Sequence, residues 1–116
     1  MKRTIEFYRT SDGIAPTEEF LDALSDKVAQ KTIAVMELVE TERIIPTKFF
    51  KKLVGTDLYE VRVRWQSNIY RLLCFFAGND RVVVTHGFVK KSQKTPQGEI
   101  ARAERYRRDY YRRRNE

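Results

Sequence analysis

Four side chains able to do chemistry stand where strand core is expected. Arg62, Arg64, Arg71 and His86 interrupt the apolar run from Leu58 to Pro96, LYEVRVRWQSNIYRLLCFFAGNDRVVVTHGFVKKSQKTP, and Lys90, Lys91 and Lys94 follow at its exit. Burying an unpaired cation costs several kcal/mol, so cations within such strands suggest a face built to receive an anion. With a formal net charge of +7, a nucleic-acid backbone is the anion to expect. Beside arginines the charged form of His86 is disfavoured, which leaves a neutral imidazole that could accept a proton.

The elements that must position these groups are two successive hairpins, with turns near Gln66-Ser67-Asn68 and Ala77-Gly78-Asn79-Asp80. Side chains alternate along a strand, so Glu60, Arg62 and Arg64 share one face and Tyr59, Val61 and Val63 the other. If Arg64 pairs with Ile69, Arg62 lies opposite Arg71; a register shifted by two places Arg64 opposite Arg71 instead. The second hairpin, with an even loop, sets Arg71 opposite His86, and an odd loop or a bulge would break that pairing. Like charges directly opposite are destabilising, which a ligand could offset. Glu60 could also relieve them by pairing with Arg62 or Arg64, a purely structural role. The lysines at the exit suit phosphate positioning. Tyr106 and Tyr110, near Arg102 and Arg105, could stack a base or simply pack.

The remainder supplies a scaffold. At 116 residues with 41% hydrophobic content, the sequence predicts one domain over 1–116 with one modest core. Thr4 to Tyr8 alternates as a strand. Pro16 suits a first helical turn, and Phe20, Leu21 and Leu24 follow at helical spacing. Val28, Thr32, Val35, Met36 and Val39 mark a second helix, capped by Ser25 or Asp26. Ile44 to Gly55 reads as an irregular basic connection. Thr95-Pro96 opens a last helix from about Gln97 to Arg113, with Glu104–Arg108 and Asp109–Arg113 as i,i+4 pairs. The single Cys74 forbids an internal disulfide, and with one histidine no zinc site of nitrogen and sulfur ligands can be assembled. No signal peptide and no apolar run of membrane-spanning length are evident, so a reducing, cytoplasmic setting without membrane association is expected.

This order of elements, with LYEVRV, YRLLCFF, HGFVKKSQKTP and the basic helix EIARAERYRRDY, resembles the RelE/HigB superfamily of toxins, in its phage-derived Gp49-like branch. The resemblance implies an α+β fold: a mainly antiparallel sheet in the order β-α-α-β-β-β-α, with a helical hairpin on one face and an open basic groove on the other. It implies a toxin of a type II toxin–antitoxin pair, a ribosome-dependent endoribonuclease needing no metal or other cofactor, in which a 2′-hydroxyl attacks the scissile phosphate. Arg71 then matches the arginine at that phosphate, with Arg62, His86 and Lys91 as further catalytic residues. His86 is the candidate base, and fixed guanidinium groups stabilise the developing charge. Arg64, Lys90, Lys94 and Tyr106 would hold RNA. The implied partners are a cognate antitoxin of helix-turn-helix type, the ribosome and mRNA, with operator DNA reached only through the antitoxin. Relatives of ParE type, acting on gyrase, and a non-catalytic nucleic-acid-binding module are the alternatives.

Overall fold

A computed structural model describes residues 2–90 and 94–114. Among them the chain forms an α+β fold of five strands and three helices. Ile5 and Phe7 turn one face of β1 (Thr4–Phe7) into the core. Pro16 then starts α1 (Pro16–Asp22), where its missing N–H costs nothing. Ser25 caps α2 (Asp26–Thr41), its hydroxyl accepting from the Val28 N–H at 3.4 Å. The buried stripe of α2 is the expected one: Val28, Thr32, Val35, Met36 and Val39.

The connection after α2 is less irregular than its composition suggests. Phe50–Lys52 forms a short strand, β2, pairing antiparallel with β3 (Tyr59–Trp65). Its lysines suit an edge position, where charge discourages pairing with another chain. β4 (Asn68–Ala77) and β5 (Arg81–Lys90) follow, and the sheet runs β1-β5-β4-β3-β2. Only the β1–β5 pair is parallel, so the sheet is mixed but mainly antiparallel.

One sheet face carries Val61, Val63, Leu72, Cys74 and Val84, all fully buried beneath α1 and α2. Burying each such aliphatic side chain contributes about 2 kcal/mol. Cys74 is part of this layer, and burial pushes its thiol well above the usual range. Phe20 of α1 lies so close to β5 that a Cβ on Gly87 would meet its ring at 2.4 Å, so only glycine fits there.

The opposite face is where sequence and structure part. The expected open groove is largely filled: α3 (Gln97–Arg114) packs across it, with Ala103 and Tyr110 buried against Leu73, Phe75 and Val83. Asp109 helps hold the far end by accepting a 2.6 Å hydrogen bond from Tyr8, whose hydroxyl is pushed up to about 12, chiefly by burial and next by that bond. A helix this poor in aliphatic residues does not look like a core element. Its inner side uses tyrosines, an alanine and paired acids instead of a leucine stripe.

Candidate nucleic-acid interface

The first hairpin adopts the register that sets Arg62 opposite Arg71 and Arg64 opposite Ile69. Its loop is only Gln66-Ser67, with Gln66 at a φ of 55°. The second hairpin overturns the expected pairing of Arg71 with His86. Ala77 pairs with Arg81 around a three-residue loop, and a bulge at Thr85 follows, so Leu73 meets His86 and Arg71 meets Phe88. The odd loop inverts the faces and the extra residue inverts them back. His86 therefore still shares the face of Arg71, displaced by two residues. Thr85 hydroxyl donates to the Leu73 carbonyl at 3.0 Å and occupies an acceptor left by the bulge.

Arg71 was expected to point into open water, and that expectation is corrected. Its side chain is only 1% exposed beneath the start of α3. One guanidinium nitrogen lies 3.3 Å from Glu60 Oε2 and donates to Thr95 Oγ1 at 3.1 Å. Thr95 in turn donates to Glu60 Oε2 at 2.5 Å. The triad ties β3, β4 and the approach to α3 together. Burying this cation beside a carboxylate and a hydroxyl offsets much of its desolvation cost, and losing Glu60 would remove that compensation.

His86 is also corrected from open base to interior connector. Its side chain is 1% exposed, Nε2 is 3.0 Å from Glu99 Oε1, and Nδ1 is 3.1 Å from Thr85 Oγ1. Because Thr85 already gives its proton to Leu73, its oxygen accepts from Nδ1–H, and Nε2 faces the Glu99 carboxylate. Burial lowers the imidazole to about 4, the Arg102 charge acts in the same direction, and the Glu99 hydrogen bond opposes both. Burial and the Arg102 charge disfavour the charged form, and the ring is packed under α3 and touches no open surface.

Tyr106 packs too. Its ring stacks on Tyr8 with centroids 4.6 Å apart, and its hydroxyl accepts from Arg102 Nε at 3.1 Å, so it offers no free face to a base. Lys91 lies outside the described residues, as does the side chain of Lys90.

What stays open is an edge trough. β2 begins at Phe50, opposite Val61, and β3 runs on past it through Arg62, whose N–H still donates to the Phe49 carbonyl at 2.8 Å, to Arg64. A cavity of about 420 Å³ is lined there by Lys31, Lys48, Phe49, Arg62, Arg64 and Ile69. A second, of about 410 Å³, is lined by Lys51, Lys52, Arg62, Lys94, Thr95 and Gln97 among others. Arg62 belongs to both walls. Its Nε is 3.4 Å from Glu60 Oε1, its side chain is 20% exposed, and its guanidinium makes no hydrogen bond among the described residues. Glu60 thus holds two arginines, one sealed and one facing the trough. Lys31 reaches the Arg64 carbonyl at 2.5 Å and sits 5.5 Å from the Trp65 ring, which fixes one wall. Lys31, Lys48, Lys51 and Lys52 were not singled out as site residues. Their convergence depends on where β2 begins, which strand patterning did not reveal. Among the described residues no three acidic, histidine or cysteine side chains converge as metal ligands, and no helix is long and apolar enough to cross a membrane.

A search of curated proteins finds no match for this chain. The family described as phage derived protein Gp49-like (DUF891) matches residues 19–108, more than three quarters of the length and every residue that lines the trough. That family lies in the RelE/HigB-like toxin group, which points to a toxin of a toxin–antitoxin pair with an antitoxin partner. The chain belongs to the Gp49-like family of phage-derived proteins.

Proposed function

We propose that this protein is the toxin of a type II toxin–antitoxin pair, that it has a RelE-like topology, and that it cleaves mRNA on the ribosome, with the edge trough holding the single-stranded segment. The observation that carries the reading is Arg62, an arginine shared by two basic cavities whose donors have no hydrogen-bonded acceptor of their own. In the reaction the 2′ oxygen bonds to phosphorus as the bond to the 5′ oxygen breaks, giving a cyclic phosphate and a 5′ hydroxyl. Charge builds on the phosphoryl oxygens, and Arg62 with Arg64 stabilises it from positions already set. The groups lining the second cavity that could take the 2′ proton or give one to the 5′ oxygen are Glu60, Lys51, Lys52 and Lys94, since the arginines stay charged. Arg71 and His86 act at a distance: Arg71 through Glu60, which orients Arg62, and His86 by seating the first turn of α3.

The burial of His86 favours one other reading, a module that binds RNA through cations without cutting it. Primer extension on messages after induction separates the two. Discrete breaks that vanish with Arg62→Ala support cleavage. Growth arrest with intact messages, or breaks unchanged in that variant, contradict it. Replication arrest with intact messages would instead indicate action on gyrase.

A further inference from the structure

The charges of α3 are sorted by side. Two of its three acids are drawn away from the outward stripe, Glu99 by His86 and Glu104 with one oxygen buried, while Asp109 accepts from Tyr8 and also pairs with Arg112. An exposed stripe is formed by Ala101, Arg105, Arg108 and Arg112, at the i, i+4, i+7, i+11 spacing of one helix side. The expected Glu104–Arg108 pair does not form, and neither Arg105 nor Arg108 makes an ion pair or hydrogen bond among the described residues. Arg112 pairs with Asp109, yet its side chain remains 71% exposed. A solvated helix face ordinarily mixes signs, because i,i+4 pairs of opposite charge stabilise it and like charges oppose it. This one concentrates positive charge on its exposed side.

From this sorting we propose that the outer face of α3 is a second nucleic-acid contact, one that docks on the phosphate backbone of double-stranded RNA. Arg105, Arg108 and Arg112 are spaced about 4.5 and 6 Å along the axis at the helical rise, a ladder suited to a regular row of phosphates. No aromatic ring lies within the stripe. Single-strand sites rely on base stacking, whereas A-form duplexes are held through phosphates and 2′-hydroxyls with little need for it. α3 borders the trough with Gln97 and Ile100 in its first turn, whereas the ladder starts at Arg105, about 12 Å beyond Gln97 along the axis at the helical rise. The proposal deepens the RNA reading of the trough by naming a duplex partner beside it, and it is tested apart from that reading.

The purified full-length chain is titrated by fluorescence anisotropy with a blunt RNA duplex and with an unstructured RNA oligonucleotide, across a salt series, as wild type, Arg105→Glu/Arg108→Glu and Arg62→Ala. Circular dichroism confirms that each variant is folded. The double variant is expected to bind duplex at least tenfold more weakly at low salt, with the slope of log affinity against log salt reduced by about 2, and to bind the single strand within about threefold of wild type. Unchanged duplex affinity overturns the proposal, as does an equal loss on both RNAs, which would mark only a general basic field. Loss confined to an added polyglutamate peptide also overturns it, in favour of an acidic protein partner. If Arg62→Ala leaves single-strand binding intact while the double variant still loses duplex binding, the trough reading fails and the α3 contact stands.

Discussion

Arg71 and Arg64 stand on the same face of neighbouring strands and have opposite fates. Arg71 is sealed beneath α3 against Glu60 and Thr95, while Arg64 is exposed on the wall of an open cavity. Residue type and strand face do not distinguish them; the path of α3 does. Helix cover turns one arginine into a structural tie and leaves the other available to a ligand. Arg62 stands between the two, paired with the carboxylate of the buried cluster while facing the trough.

The largest effect that sharpens this contrast belongs to Glu60. Glu60→Ala removes the carboxylate that faces the buried Arg71 cation, and chemical denaturation should give a loss of about 3–5 kcal/mol. Glu60→Leu combined with Arg71→Met removes both charges and should recover most of it. If the double variant is no more stable than Glu60→Ala, the pair is not the source of the cost. Arg64→Ala, in contrast, should change unfolding free energy by no more than about 0.5 kcal/mol, as expected for an exposed site.

His86 offers a pH test of the same buried layer. Its ordinary value of 6.5 falls to about 4 in the fold. Between those values the unfolded chain takes up a proton that the folded chain does not, so stability rises with pH across this window and is lost on acidification. Unfolding curves at pH 7 and pH 4.5 should diverge by up to about 2–3 kcal/mol more in wild type than in His86→Gln. Identical pH dependence would mean that the imidazole is hydrated and not buried.

A smaller effect tests the other sheet face. Gly87→Ala forces its new methyl against Phe20 and should cost about 1–3 kcal/mol, with part recovered by Phe20→Leu. An undisturbed melting temperature would show that α1 yields freely.

Much of the scaffold was legible because local rules settle it. The apolar stripe of α2 and Pro16 at the start of α1 follow from spacing and turn chemistry, while the cap was narrowed to Ser25 or Asp26 and the arginine opposite Arg71 to Arg62 or Arg64, which the structure resolves as Ser25 and Arg62. The site was only partly legible. Pairing beyond Leu73 depends on a bulge that alternation cannot reveal, and the short β2 has the composition of a loop. Above all, the cover over Arg71 and His86 comes from a helix whose inward side is tyrosine, alanine and carboxylate. Hydrophobic periodicity does not register such a face, so an arginine that looked available to substrate is instead a partner for Glu60. The same reading missed Lys51 and Lys52, which strand pairing brings level with Glu60 and Tyr59 at the mouth of the trough.

The most direct test of the central claim is the rate at which purified Arg62→Ala protein cuts ribosome-bound message, measured beside its melting temperature. The account predicts a loss of at least about 10²-fold, the usual consequence of removing one fixed donor from a developing oxyanion, with the melting temperature unchanged. Cleavage within twofold of wild type by a fully folded variant would contradict it.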